Sequence, residues 1–190
     1  MEDLIMKILA AQLRQPSGEF GKELGTHMND SNHHINLNTI DALELNAGDH
    51  LLEIGMGNGH FVSRLFEREK TVEYTGCDFS ETMVNAANEN NKDMVEAGRV
   101  RFICADVVQL PFVDDSFHTV FTVNTVYFWT DPVLVLSEVK RVLKPRGEFV
   151  VALRPASVMR DYPFVKYGFE LYSAESLCTL FSQNGFDAVV

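Results

Sequence analysis

His50-Leu-Leu-Glu-Ile-Gly-Met-Gly-Asn-Gly-His60 is the most informative stretch of this 190-residue chain. It opens with a short apolar run, which predicts a buried strand, and continues with glycines at three alternate positions, Gly55, Gly57 and Gly59. From Phe61 onward, apolar residues recur at helical spacing. A strand, a glycine-rich turn and a helix start form the first half of a nucleotide-binding βαβ unit, in which backbone N–H groups face the ligand. The stretch therefore predicts a ligand site at the end of the first strand.

The spacing of these glycines distinguishes between classes of ligand. The dinucleotide fingerprint G-x-G-x-x-G would place its third glycine at position 60, where this chain has His60. The pattern present is Glu53-x-Gly-x-Gly-x-Gly59, with an acid two residues before the first glycine. A nicotinamide-dependent dehydrogenase is therefore the less favoured class of enzyme.

Composition limits the classes of protein and partner. A hydrophobic content of 46% and a charged content of 23% are typical of a globular protein, and 190 residues suit one domain. The net charge of −11 repels phosphate backbones and anionic lipid, so we expect neither nucleic acid nor a membrane as partner. The three cysteines, Cys77, Cys104 and Cys178, are far apart and lack C-x-x-C spacing, so we expect no metal site and no disulfide framework. These features, without a recognisable signal peptide or apolar span, favour the cytoplasm.

Helical and strand patterns alternate along the rest of the chain. Apolar spacing predicts a helix over residues 4–13 and two short helices within residues 19–45. We therefore expect an N-terminal helical cap over 1–45, followed by a ligand-binding domain over 46–190. Further strands are predicted at 72–78, 99–106, 119–124, 147–153 and 186–190. The alternation predicts an α/β fold, a doubly wound Rossmann-like and mostly parallel sheet with right-handed crossovers.

Polar residues stand at the ends of four predicted strands, namely Glu53 with the glycine turn, Asp78, Asp106 and Asn124. Ligands of open parallel sheets lie beyond the carboxyl ends of the strands. Asp78 follows Gly55 by 23 residues, where doubly wound nucleotide folds place an acid that accepts hydrogen bonds from the ribose hydroxyls. A ligand with a ribose, an exocyclic amine and an ammonium group would use all of these acids.

Several motifs resemble those of class I S-adenosylmethionine methyltransferases. The glycine turn resembles their motif I, and the similarity continues in order over about residues 50–153. Its later parts are Gly76–Met83, Ala105–Phe112, Asp114–Phe117 and Glu138–Gly147. They are most similar to the small-molecule branch, which includes the quinone-biosynthesis C-methyltransferases. The resemblance implies that S-adenosylmethionine is the cofactor and that a small organic molecule is methylated at carbon or oxygen. A non-catalytic module that binds S-adenosylmethionine or a nucleotide is the alternative, because no catalytic residue is visible.

The resemblance also implies a set of cofactor-binding residues. The glycines line the methionine part, Glu53 suits its ammonium, Asp78 takes the ribose, and Asp106 with Val107 takes the adenine. The full expected set is Glu53, Gly55, Met56, Gly57, Gly59, Asp78, Phe79, Met83, Asp106, Val107 and Asn124. One departure from the family pattern is Arg146, which replaces a glycine in a turn far from the site.

The sequence identifies no general base. Base- and amide-methylating enzymes have two prolines after the fourth strand, and Asn124-Thr-Val-Tyr127 lacks both, which argues against DNA adenine or protein glutamine as acceptor. The candidates for a catalytic role are Tyr127, His27 and His33, with His34 as a further candidate for substrate contact. The Tyr127-Phe-Trp129 cluster either forms a pocket wall or packs against the following helix.

Two expectations concern the periphery of the sheet. The resemblance implies a sheet of strand order 3-2-1-4-5-7-6 that ends in an antiparallel hairpin. The last strand predicted here, 186–190, is only the sixth, so the hairpin is expected to be incomplete. An exposed edge of the fifth strand would then favour a homodimer. Residues 16–40 are expected to form a lid over the cofactor pocket, which would exclude water during methyl transfer. The alternative is a helix that packs against the flank of the sheet.

Overall fold

A computed structural model describes all 190 residues, and five strands form its single sheet. The strands are β1 (His50–Ile54), β2 (Glu73–Asp78), β3 (Val100–Cys104), β4 (Phe117–Val123) and β5 (Leu143–Ala152). They lie in the order β3-β2-β1-β4-β5 and every pair is parallel. Leu52 of β1 lies opposite Thr75 of β2 and Val120 of β4, so β1 is at the centre. The predicted α/β class, and the first five positions of the expected strand order, are confirmed.

Nine α-helices surround this sheet. They are α1 (Glu2–Arg14), α2 (Gly18–Ser31), α3 (His33–Ala42), α4 (Val62–Arg68), α5 (Glu81–Asn90), α6 (Lys92–Glu96), α7 (Pro132–Val142), α8 (Ala156–Met159) and α9 (Ala174–Gln183). The predicted helices before the first strand are therefore present. No helix is long and apolar enough to span a bilayer.

Two apolar cores lie on opposite faces of the sheet. Successive side chains of a strand point to opposite faces, and accordingly Leu51 belongs to one core while Leu52 belongs to the other. The Leu51 core receives α3, α4 and α5, and the Leu52 core receives α7 and α9. Covering both faces explains why the central strands are almost continuously apolar.

Side-chain caps are present at the start of three helices. The Ser80 hydroxyl accepts a hydrogen bond from the Met83 N–H at 3.2 Å, and Asp131 accepts one from the Leu134 N–H at 3.0 Å. Ser173 forms a reciprocal capping box at the start of α9. These caps fix the directions in which α5, α7 and α9 leave the preceding loops.

The predicted strand at 186–190 is wrong, because these residues form no strand. The Phe186 N–H closes the end of α9 on the Phe181 carbonyl, and the Phe186 ring lies 5.9 Å from that of Phe149. The apolar pattern there reflects packing onto β5 and α9. One edge of β5 pairs with β4 and the other has no strand partner, and association of two copies there stays a prediction.

The strand β5 begins earlier than predicted. It starts at Leu143, directly after α7, and not at the predicted position 147. A residue before proline favours extended backbone, which lets the strand begin at once. The register against β4 shifts between Phe117 and Thr119. Arg146 lies in this irregular stretch with a φ of +67°, a conformation that suits glycine.

Candidate functional site

A cavity of about 810 Å³ lies beyond the carboxyl ends of the strands. Its floor is formed by the ends of β1, β2 and β4 and by the turn after β3. Residues of α1 and α2 cover it on one side, and the segment 154–169 closes it on another. A volume of this size is within the range of small-molecule and cofactor sites.

Gly55 and Gly57 shape the turn after β1, with φ values of +72° and +58°. A Cβ on Gly55 would lie 2.3 Å from the Thr125 Cγ2, so only glycine fits there. A Cβ on Gly57 would meet nothing within 4 Å, and since Gly57 lines the cavity, that free space faces the expected ligand. Gly59 does not line the cavity, because it packs against Asn91 of the loop after α5. Its role is therefore to let α5 approach the turn.

Glu53 is a buried carboxyl at the end of β1, with 8% of its surface exposed. The Tyr74 hydroxyl donates a hydrogen bond to Glu53 Oε2 at 2.6 Å. Burial raises the pKa of Glu53 from 4.5 to about 7, the hydrogen bond from Tyr74 opposes this rise, and the nearby charge of Asp78 adds to it. A carboxyl with a pKa near neutrality beside a cavity is typical of a functional site.

Asp78 is the second buried carboxyl and ends β2. Its oxygens accept hydrogen bonds from the Gly57 N–H at 3.1 Å and from the Ser80 N–H at 2.9 Å. Burial raises the pKa of Asp78 to about 6, against the lowering effect of these N–H donors. The hydrogen bond from Gly57 connects the acid of β2 to the glycine turn of β1, so the two motifs form one unit.

The remaining residues of the expected adenine side surround the end of β2 and the turn after β3. Phe79, Met83, Asp106 and Val107 all line the cavity. Asp106 is exposed at the mouth and accepts a hydrogen bond from the Val108 N–H at 3.1 Å. Met56 lines the cavity between the two glycines of the turn. Of the eleven expected cofactor-binding residues, Gly59 alone lies outside the lining.

Asn124 connects three parts of the chain at the end of β4. Its φ is +57°, and its amide donates to Asn32 Oδ1 at 3.1 Å. Its Oδ1 accepts from the Arg154 N–H at 3.1 Å and lies 3.1 Å from the Tyr127 hydroxyl. This network fixes β4, β5 and the α2–α3 junction relative to one another.

Tyr127 belongs to the same network. Its hydroxyl accepts from the Arg154 N–H at 2.6 Å and lies 2.9 Å from the Arg154 carbonyl. Burial raises the pKa of Tyr127 to about 12, so the phenol is protonated at neutral pH. Tyr127 lines the cavity, but its hydroxyl is engaged with the backbone, which suits a positioning role better than a general base.

Aromatic side chains form the wall next to β4 and β5. Phe128 contacts Phe169 edge-on with ring centroids 4.7 Å apart, and Phe164 lies 5.4 Å from Phe169. Trp129 lines the cavity and also stacks at 6.4 Å on Phe149 of β5. The aromatic cluster after β4 therefore both lines the cavity and packs the core.

The N-terminal helices reach the cavity only in part. Pro16, Leu24 and His27 line it, and the Gln15 side chain donates to the Phe79 carbonyl at 3.2 Å. His33 and His34 are exposed and lie outside the lining, with the His33 ring 5.9 Å from that of Phe61. Beyond Asn36, α3 packs against the flank of the sheet, where Ile40 joins the core of Leu51. Just after α3, the Leu43 carbonyl accepts a hydrogen bond from Arg68 of α4 at 3.1 Å. The contact of residues 16–32 with the cavity is confirmed, and closure as a lid stays a prediction.

Arg154 and Asn32 are site residues that the sequence reasoning missed. Arg154 lies two residues after the end of β5 and lines the cavity. The rule that identified Asp78 and Asn124, a polar residue at a strand end, would have identified Arg154 as well. Asn32 had no comparable signal, because its contact with Asn124 joins residues 92 positions apart.

Comparison with known proteins matches residues 52–151 to a family model described as a methyltransferase domain. The 27-O-demethylrifamycin SV methyltransferase of Amycolatopsis mediterranei is 35% identical over 124 residues, which cover 63% of this chain and 45% of that protein. The ubiquinone/menaquinone biosynthesis C-methyltransferase UbiE of Paracoccus denitrificans is 32% identical over 115 residues, which cover 59% of this chain and 45% of that protein. The chain thus spans about half the length of these curated relatives.

Among solved structures, the fold resembles a Haloferax volcanii chain in complex with the Trm112 methyltransferase activator. The TM-score is 0.77 with 22% identity, covering 95% of this chain and 75% of the other. At this identity the similarity establishes the shared fold.

Proposed function

The chain belongs to the class I S-adenosylmethionine-dependent methyltransferases, and we propose that it transfers a methyl group from that cofactor to a small organic acceptor, at carbon or oxygen. One observation carries the proposal. The buried carboxyls of Glu53 and Asp78 and the open glycine turn face one cavity, whose other side is aromatic. A polar half and an apolar half are what a methyl donor with a ribose and a small organic acceptor require.

The residues of the polar half fit the cofactor. Asp78 would accept from both ribose hydroxyls, since each of its oxygens has a further lone pair beyond its present backbone donor. Gly57 leaves room beside the turn for the methionine part, and Glu53 would face its ammonium. Asp106 and the Val107 backbone would hold the adenine at the mouth. The pKa values of Glu53 and Asp78 are raised because both carboxyls are buried beside the cavity, with no cation of the chain next to them.

When bound, the cofactor supplies an electrophilic methyl on a sulfonium. The chain's part in this reaction is orientation and exclusion of water. Asn124 and Tyr127 fix the β4 and β5 ends against each other, which holds the aromatic wall at a defined distance from the glycine turn. Residues 16–32 cover the opening from the side of α2. An acceptor that already carries a nucleophilic carbon or an ionised oxygen needs no general base from the chain.

The relatives support a small organic acceptor but leave the methylated atom open, because one is named as a 27-O-demethylrifamycin SV methyltransferase and the other as a C-methyltransferase. Membership of the family argues against the dehydrogenase alternative. A non-catalytic S-adenosylmethionine-binding module is the second candidate, because the Tyr127 hydroxyl is bound to the backbone and His27, which lines the cavity, has no partner that would orient it as a base.

Formation of adenosylhomocysteine tests the proposal. The purified chain is incubated with S-adenosylmethionine and a panel of phenols, catechols, carboxylic acids and quinols, and adenosylhomocysteine is quantified by mass spectrometry. We expect production that depends on an acceptor and is abolished by Asp78→Ala. Tight binding of S-adenosylmethionine with no production for any acceptor would favour the non-catalytic module.

A further inference from the structure

The order of strands divides the cavity into two halves. Asp78 ends β2 and Glu53 lies in β1, whereas Asn124 and Arg154 follow β4 and β5. Neighbouring strands are about 4.8 Å apart, so the β5 end is about 14 Å across the sheet from the β2 end and about 10 Å from the β1 end. If the cofactor lies over β1, β2 and β3 as proposed above, the acceptor lies over β4 and β5.

Arg154 brings a positive charge into this acceptor half. Its side chain is partly buried and lines the cavity. No carboxylate pairs with it, although the chain has a net charge of −11, and its guanidinium donates only to the Ser31 carbonyl. Asp30 lines the same cavity but forms no ion pair with Arg154. The remaining N–H donors of Arg154 are free for a ligand.

The backbone of Arg154 is held in place. Its N–H is bound by the Tyr127 hydroxyl and Asn124 Oδ1, and its carbonyl is 2.9 Å from the Tyr127 hydroxyl. These bonds fix the start of the side chain, and the contact with the Ser31 carbonyl holds the guanidinium at its other end. An arginine held at both ends loses less conformational freedom when it binds a planar anion with two parallel hydrogen bonds. Arg14, the other arginine at the cavity, is exposed on α1 and has no such support.

The surfaces next to Arg154 are aromatic. Phe128 follows β4, and Tyr162, Phe164 and Phe169 follow Arg154 in the segment that closes the cavity. Tyr162 stacks on Phe164, Phe164 contacts Phe169 at a tilt, and Phe169 contacts Phe128 edge-on, so the rings present a continuous apolar surface. Such a surface favours a planar apolar body over a sugar or an amino acid.

We propose that the methyl acceptor is an aromatic acid, whose ring lies against Phe128 and Phe169 and whose carboxylate, or an equivalent oxyanion, binds Arg154. The inference rests on the proposed function, which it extends by naming the class of acceptor. Arg154 is then a specificity-determining residue for the acceptor. A neutral molecule of the same shape would leave the guanidinium partly desolvated without a partner and would bind more weakly.

Binding of a matched pair of probes tests the proposal without knowledge of the natural acceptor. The chain is saturated with adenosylhomocysteine and titrated by calorimetry with 2-naphthoate or with the neutral 2-naphthamide. We expect 2-naphthoate to bind about ten-fold or more tightly than 2-naphthamide, which is the scale of a charge-assisted hydrogen bond. Arg154→Met should remove this preference, and Arg154→Lys should restore part of it.

Arg160→Met is the matched control, because Arg160 is exposed on the same segment and does not line the cavity. It should keep the preference for 2-naphthoate. Equal binding of the two probes, or binding of neither, would overturn the proposal. So would an Arg154→Met variant that loses adenosylhomocysteine affinity but keeps the preference, because Arg154 would then serve the cofactor. Failure of adenosylhomocysteine itself to bind the unaltered chain would contradict the proposed function instead.

Discussion

Glu53→Gln should make the free protein more stable at pH 8 while weakening its affinity for S-adenosylmethionine. Glu53 is buried, and burial raises its pKa from 4.5 to about 7. At about 1.36 kcal/mol per pKa unit, this shift corresponds to about 3 kcal/mol of folding free energy. Stability and affinity change in opposite directions because the carboxylate that suits a cationic ligand has no cation beside it in the free protein.

The direction of the pH dependence follows from the raised pKa. The folded state holds the Glu53 proton more tightly than the unfolded chain, so the stabilising contribution is complete below pH 4.5 and is lost as the pH rises through 7. Glutamine cannot ionise, and its side-chain oxygen still accepts from Tyr74. We therefore expect Glu53→Gln to be about 1–3 kcal/mol more stable than the unaltered chain at pH 8, with a difference of at most about 1 kcal/mol at pH 5.

Urea unfolding at the two pH values measures the effect, and Glu89→Gln on the exposed side of α5 is the control, which should change neither value. Calorimetry at pH 8 should show that Glu53→Gln binds S-adenosylmethionine at least ten-fold more weakly. A loss of stability at pH 8 in Glu53→Gln would refute the reasoning, because the carboxylate would then be stabilised in the free protein by groups other than the ligand.

Three further outcomes follow from the same structure. Tyr127→Phe should lower the free energy of unfolding by about 1–2 kcal/mol, since it removes a buried hydrogen-bond partner of Arg154. It should leave the pH dependence of turnover unchanged, and a changed pH profile would indicate that Tyr127 carries a proton in the reaction. Arg146→Gly should raise the free energy of unfolding by about 1 kcal/mol by relieving a positive φ, and an equal or lower value in urea unfolding would show that this turn is unstrained. Adenosylhomocysteine should slow hydrogen exchange in residues 18–31 of α2 more than in α9, and equal changes in both helices would contradict closure of a lid.

The fold could be predicted because its signals are local. The glycine turn, the alternation of strands and helices, and caps such as Ser80 depend on neighbouring residues, and all of them are present in the structure. The wrong strand at 186–190 has the opposite cause. Its apolar residues pack onto Phe149 and Phe181, and no local pattern distinguishes such packing from strand formation.

The site could be predicted on the cofactor side and less well on the acceptor side. Glu53, Asp78 and Asp106 follow from strand ends in a parallel sheet, which necessarily meet at one edge. The acceptor side is formed by long-range contacts, such as that of Asn124 with Asn32, and by the irregular segment after β5. The sequence also did not predict that His33 lies away from the cavity, because a turn at Asn32 directs α3 along the flank of the sheet while α2 remains over the cavity.

A crystal structure of the chain with adenosylhomocysteine tests the central claim most directly. We predict the ligand in the cavity at the strand ends, with both ribose hydroxyls hydrogen-bonded to Asp78, the methionine part beside Gly57, and the sulfur facing the aromatic wall at Phe128. Adenosylhomocysteine bound at another place, or bound in this cavity with its ribose away from Asp78, would contradict the account.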